Sequence, residues 1–263
     1  MTIRRSTTRR THRREIATTR TLQRKISGTG RTAAGRQRAD VIRKTWRRLA
    51  GAGVVLLLLS ILMVLPWRWV APPTSAFMLR EQLFQDNAVH YQWVPWESIS
   101  PHLAIAVVAA EDQKFPVHHG FDFESIAKAL DETRGRRRGA STISQQVAKN
   151  LFLWPGRSYI RKGLEAYFTV LIETCWPKRR ILEIYLNVAE FGPGVFGTGA
   201  ASRQYFAKPA ERLSLWEASL LAAVLPSPKK MSVLRPSAYV RGRAYEIRTW
   251  VHKLGGARYL ADI

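Results

Sequence analysis

Cysteine is almost missing from this chain of 263 residues: Cys175 stands alone. No intrachain disulfide can form, so cysteine usage marks no redox compartment. Zinc-type Cys/His spacing is absent, and so is a Gly-rich phosphate loop leading into a helix, which argues against zinc modules and P-loop nucleotide enzymes. There is no internal repeat. No stretch alternates convincingly between apolar and polar residues, so strands are not expected and an all-α globule is. Acidic residues are scarce: 19 Asp and Glu face 42 Lys and Arg, a formal net charge of +23.

The excess charge is unevenly spread. Residues 1–48 carry sixteen Lys and Arg against Glu15 and Asp40, a net +14, while residues 49–263 carry +9. The Arg- and Thr-rich leader has almost no apolar pattern and is expected to be disordered. Leu49 to Leu65 then runs 17 residues without a charge. As a helix it covers roughly 25 Å, and about 33 Å if continued to Val70. Trp67 and Trp69 stand where an interfacial belt belongs, with Trp46 at the other end. The leader is too long for a cleaved signal peptide, and no small-x-small cleavage site follows. The expected layout is a basic cytoplasmic tail (1–48), a retained transmembrane helix (49–70), a linker (71–95) that opens on Pro72-Pro73, and an external domain (96–263). The positive-inside rule sets that orientation. DNA binding would fit the tail's charge. Anionic membrane lipid beside it explains the charge more simply, so no nucleic-acid partner is expected.

Within the external domain, caps and stripes mark helices. Ser100-Pro101 starts one that ends near Glu111, and Asp122 can cap one through Leu130. Thr133 to Gly139 is a basic loop. Ser141 can cap a helix to about Leu153, with Ile143, Val147 and Leu151 on one face. Ser158 can cap the next, whose stripe is Ile160, Leu164, Tyr167, Phe168, Leu171, Ile172 and Cys175. The lone cysteine is therefore read as packing. Pro177 begins a helix through Phe191, and Gly192 to Gly199 reads as a turn-rich loop. Ser214-Leu-Trp-Glu217 is a capping box for a helix to Leu225. A last helix from about Ser237 stops at Gly255.

Chemistry enters with Glu111, which closes the apolar run Leu103–Ala110 and opens Glu111-Asp112-Gln-Lys-Phe115-Pro-Val-His118-His119-Gly120. Burial and the negative pole of a helix both raise a carboxylate's pKa, which is how a glutamate becomes a general base near neutral pH. By itself Glu111 is better read as a surface residue at a helix end. Three further strings follow in order: Gly139-Ala-Ser-Thr-Ile-Ser-Gln-Gln146 running into Lys149-Asn150; Arg161-Lys-Gly-Leu-Glu165; and Lys178-Arg-Arg-Ile-Leu-Glu183-Ile-Tyr-Leu-Asn187. From about Trp96 to about Gly255 the chain resembles the peptidoglycan glycosyltransferase family (glycosyltransferase family 51), in its monofunctional, membrane-anchored form.

That resemblance implies a lysozyme-like helical fold with a smaller, membrane-proximal jaw lobe, mostly between Glu111 and Glu165. It implies a bacterial inner-membrane enzyme with its catalytic domain periplasmic, acting on lipid II and the nascent glycan strand. Glu111 takes the general-base position, and Glu165 matches a second essential glutamate. Ser141, Thr142, Gln145 and Gln146 match a polar motif lining the cleft. Lys149, Arg157 and Arg161 match positions that hold the donor diphosphate, and Lys162 adds charge beside them. His118 is expected to support its loop, and Glu183 and Asn187 to be structural. Asp112 is expected either to support or to act in the chemistry. No obligatory cofactor is implied; a divalent cation, Mg or Mn, at the diphosphate stays open. Other cell-wall synthesis proteins are conceivable partners. The full Ser-x-x-Lys, Ser-x-Asn and Lys-Thr-Gly set of a penicillin-binding transpeptidase is missing from the outer domain, so glycan polymerisation without crosslinking is expected.

The residues themselves leave two rivals. A lysozyme-like hydrolase would also place a glutamate at a helix end, but would need neither the basic cluster nor the anchor. An anchored scaffold would need no base at all. Arg161 and Glu165 could also be an ordinary i,i+4 pair, which would leave Lys149 and Arg157 unexplained.

Overall fold

The computed structural model describes residues 37–38, 40–85, 88–131, 141–156 and 158–263. The basic loop expected at 133–139, and Arg157, lie outside these. The chain divides into two units, Met1–Ser60 and Ile61–Ile263. The described part of the first belongs to a long helix, α1 (Asp40–Arg68), apolar and long enough to cross a membrane. Leu56, Leu58 and Leu59 on it are all more than half exposed. An apolar helix bare on all sides suits a bilayer rather than a protein core.

The second unit is mostly helical. Its helices are α2 (Ala76–Phe84), α3 (Pro101–Glu111), α4 (Phe123–Asp131), α5 (Ile143–Phe152), α6 (Tyr159–Cys175), α7 (Lys178–Val188), α8 (Gly197–Phe206), α9 (Leu215–Val224) and α10 (Ala238–Lys253). Leu103 to Ala109 of α3 and Ala218 to Val224 of α9 are buried without a break. Helices apolar all round belong at the centre, and α3 packs on both α9 and α10. A second group is built on α5, which packs on α6 and α7. Glu111 ends α3 at the meeting of the two groups.

Several caps stand where the residues place them. Ser158 Oγ accepts from Arg161 N, Ser214 and Glu217 form a capping box, and α10 buries Val240, Ala244, Ile247 and Val251 before stopping ahead of Gly255 at φ 89°. Others differ. Ser141 does not cap α5; Thr142 does, because Gln145 stands three residues on and completes a reciprocal box. Ser100 holds the N-cap position of α3, but its hydroxyl donates to Leu213 O instead.

The segment 71–95 is no bare linker. It holds α2, capped by Ser75 and packed on α5, and a short strand β1 (His90–Tyr91). Of α2 only Met78 and Glu81 are buried, while Leu79, Leu83 and Phe84 are exposed. Apolar residues outside and a glutamate inside hide the helical period. The three-stranded sheet was not expected either. Its order is β1–β3–β2, with β3 (Val195–Phe196) parallel to β1 and antiparallel to β2 (Glu190–Gly192). Strands of two or three residues are too short to alternate visibly. The expected loop ending at Gly199 already contains the start of α8. A Cβ on Gly197, at φ 78°, would stand 2.4 Å from Asn187 O, so this glycine permits a close approach rather than breaking a helix.

On α6 the stripe splits. Phe168, Leu171 and Ile172 are buried and Cys175 is half-buried, but Ile160 is 76% exposed and Leu164 and Tyr167 also face outward.

Candidate active site

Glu111 is fixed by what surrounds the end of α3. The next residue, Asp112, is buried; its Oδ2 accepts from Ile143 N at the start of α5 (2.9 Å). His118 Nε2 lies 2.9 Å from both Asp112 oxygens, and His118 Nδ1 accepts from Gly120 N (3.1 Å). Thr142 Oγ1 donates to Gly120 O (2.7 Å). These bonds close a ring from the end of α3 through its loop to the cap of α5. Asp112 and His118 are therefore supports.

Inside that frame Glu111 Oε2 accepts from Gln146 Nε2 at 2.9 Å. Arg243 Nη2, from α10, stands 3.7 Å from Oε1, close enough for charge but too far for a hydrogen bond. Burial pushes the Glu111 carboxyl above the usual carboxylate range; the Gln146 bond, Arg243 and Lys149 pull it part of the way back. Such an environment suits a group that must take up a proton.

Glu165, on α6, is only 3% exposed and differently placed. Its Oε2 accepts from Arg161 Nη1 (2.6 Å) and its Oε1 from Lys162 Nζ (2.5 Å). Ser158 aids this grouping by capping the turn that carries both cations. Lys149, on α5, has its ammonium pushed down by burial and pulled up by Glu165 and Glu111, so it lies in the fields of both carboxylates. It also sits 5.7 Å from the centre of the Phe77 ring of α2.

The structure thus gathers Glu111, Gln146, Lys149, Arg161, Lys162 and Glu165 on facing stretches of α3, α5 and α6. Thr142 and Gln145 are placed otherwise. Both are buried, and their side chains make the α5 capping box, so they shape the cleft instead of lining it. Ser141 is exposed just ahead of the cap. Glu183 and Asn187 are structural: Glu183 Oε1 accepts from Trp96 N (2.9 Å), and the Asn187 amide pairs with both Val94 N and Val94 O (2.8 Å each).

Two residues at the site are not among the candidates taken from the sequence. Arg243 lies beside the buried stripe of α10, more than a hundred residues from Glu111, and no spacing joins the two. Tyr185 donates from its hydroxyl to Gln146 Oε1 (3.1 Å). It sits inside a quoted string, but its apolar neighbours make it read as core.

Among the described residues no three His, Cys, Asp or Glu side chains come together in a way that could hold a metal. Both Glu165 oxygens are taken by cations of the chain itself. The described residues therefore offer no ready-made cage of three such side chains.

The chain is similar to known proteins over most of its length. The family model described as Transglycosylase matches residues 79–251. A biosynthetic peptidoglycan transglycosylase of Xylella fastidiosa (strain 9a5c) is 52% identical over 82% of this chain and 92% of its own length. Proteins of the same name from Pseudomonas fluorescens, 52% identical over 84% of this chain and 95% of the relative, and Pseudomonas entomophila, 54% over 82% and 95%, are alike. With the family model covering most of the chain and half of all aligned positions shared, the chain belongs to the transglycosylase family and is a glycosyltransferase.

Proposed function

We propose that this enzyme polymerises lipid II into β-1,4-linked glycan, with Glu111 as general base. The observation that carries the reading is the contrast at the site: a half-buried carboxylate short of positive charge, and a second, buried one crowded with it. Glu111 takes the proton of the acceptor's N-acetylglucosamine 4-hydroxyl. That oxygen attacks C1 of the chain's N-acetylmuramic acid, and the C1–oxygen bond to undecaprenyl diphosphate breaks. One displacement inverts α to β, so no enzyme nucleophile is needed.

A diphosphate is a good leaving group and needs charge rather than a proton. Lys149, Arg161 and Lys162 supply it, with Arg157 a further candidate. Glu165 holds Arg161 and Lys162 in position.

The hydrolytic reading requires a carboxylic acid to protonate a sugar leaving group. Glu165, matched to two cations, is set up to orient charge and not to hand over a proton. Purified enzyme given lipid II, and separately finished glycan, tests the choice: polymer from the first and no cleavage of the second is expected. Cleavage of glycan without polymerisation would overturn it.

α1 fits a membrane anchor. We read residues 1–48 as cytoplasmic and the catalytic unit as external to the inner membrane, on charge asymmetry. A topology reporter fused after Ile263 should behave as periplasmic; a cytoplasmic signal would reverse the assignment.

A further inference from the structure

The Gln146 amide stands between a carboxylate, which only accepts, and a hydroxyl that donates to its other end. Its Nε2 donates to Glu111 Oε2, and its Oε1 accepts from the Tyr185 hydroxyl. An amide has one donating and one accepting end. Turned over, it would set a carbonyl oxygen against the Glu111 carboxylate. Tyr185 is only 1% exposed. Burial, with the charges of Glu111 and Asp112 adding to it, pushes the Tyr185 phenol well above its ordinary range. It therefore keeps its proton wherever the enzyme works. Its place on α7 is fixed two residues on, where Asn187 pairs with the Val94 backbone.

We propose that Tyr185 is a positioning residue for the base: its hydroxyl fixes the orientation of the Gln146 amide, and the amide holds Glu111 with Oε1 open to the acceptor hydroxyl. The inference rests on Glu111 being the base. Oε2 is occupied by the amide, and the nearest cation to Oε1 is Arg243 at 3.7 Å. The incoming proton therefore lands on Oε1, as the acceptor's O–H bond breaks and its electron pair goes to the new bond at C1. The groups facing Glu111 are Gln146 and Lys149 from α5, Tyr185 from α7, Arg243 from α10 and Asp112 beside it. Without the Tyr185 hydroxyl, Gln146 Oε1 loses its partner and the amide is held at its Glu111 end alone. The donor that favours the charged form of Glu111 is then held less firmly.

The test is the pH profile of kcat/KM for lipid II polymerisation by the full chain, whose acid limb reports the free enzyme's base. Tyr185→Phe should move that limb upward by about one unit, roughly a tenfold loss well below the limb. Turnover should recover at higher pH. Gln146→Leu should raise the limb as well. The double variant should match Gln146→Leu alone, because Tyr185 acts only through Gln146. An unmoved limb in folded Tyr185→Phe overturns the proposal, and so does a further shift when Tyr185→Phe is added to Gln146→Leu. If Tyr185→Phe alone does not fold, the double variant carries the comparison, since it leaves no orphaned amide oxygen at position 146. Glu111→Gln separates the two layers. Near-normal turnover there removes the base reading itself; an inactive Glu111→Gln with an unmoved Tyr185→Phe limb removes only the positioning role.

Discussion

Glu111 and Glu165 are the same residue type, the first half-buried and the second buried, both in the field of Lys149. Their neighbourhoods are nearly opposite. Glu111 has one amide donor and a cation standing off at 3.7 Å. Glu165 has a guanidinium at 2.6 Å and an ammonium at 2.5 Å. One carboxylate is left poorly compensated, so that taking a proton relieves it. The other is compensated on both oxygens, so that it holds cations in place. The difference between the roles lies in the surrounding side chains, and that makes it testable by changing them.

The largest effect should come from Glu111→Gln, which keeps size and an amide's hydrogen bonding but cannot accept the proton. Lipid II turnover should fall by about 10²–10⁴-fold or more. Thermal stability should hold or rise. Burial keeps the folded pKa above the unfolded one, so ionised Glu111 costs stability above that folded value, and the cost fades as pH falls through it. A variant that turned over normally would erase the contrast between the two glutamates.

Lys149→Ala should come next, with a rate loss of about 2.7–4 kcal/mol, or a hundred- to thousandfold, if it meets charge developing on the diphosphate. Its ammonium is already disfavoured by burial, so melting should not worsen. Arg161→Ala should lose rate on a similar scale but should also lose stability, unlike Lys149→Ala. The pair it breaks is buried, and removing one partner costs up to about 3–5 kcal/mol, less here because Lys162 remains. Lipid II turnover beside thermal unfolding distinguishes the two variants. Loss of stability with an unchanged rate per folded molecule in both would leave the cluster structural.

The smallest effect should be that of Arg243→Ala. Removing a nearby cation lets the Glu111 pKa rise further, so the acid limb should shift upward, by up to about fivefold in rate below it. A downward shift would mean that Arg243 does not act on Glu111 through charge.

What was legible in the sequence, and what was not, follows from the range of the interactions. The ends of α3, α9 and α10 are set by neighbours within four residues: Pro101, the Ser214–Glu217 box, Gly255. Those could be read directly, as could the ordered strings around Glu111, Gln146 and Glu165. α2 was hidden because it turns Glu81 inward, toward Lys229 Nζ at 2.6 Å, a partner 148 residues away. α8 was hidden because its glycines serve close packing. Arg243 and Tyr185 reach the site only through tertiary contacts. Thr142 and Gln145 show the opposite case: they match a cleft motif, yet their polar atoms are used within the first turn of α5.

The ring joining Asp112, His118, Gly120, Thr142 and Ile143 has a consequence for motion. It fastens the base to the helix that carries its amide partner, so Glu111 and Gln146 travel as one piece. On the proposed role of Glu111, the acceptor hydroxyl is brought to a carboxylate that its frame holds in place, rather than the carboxylate moving to meet the hydroxyl.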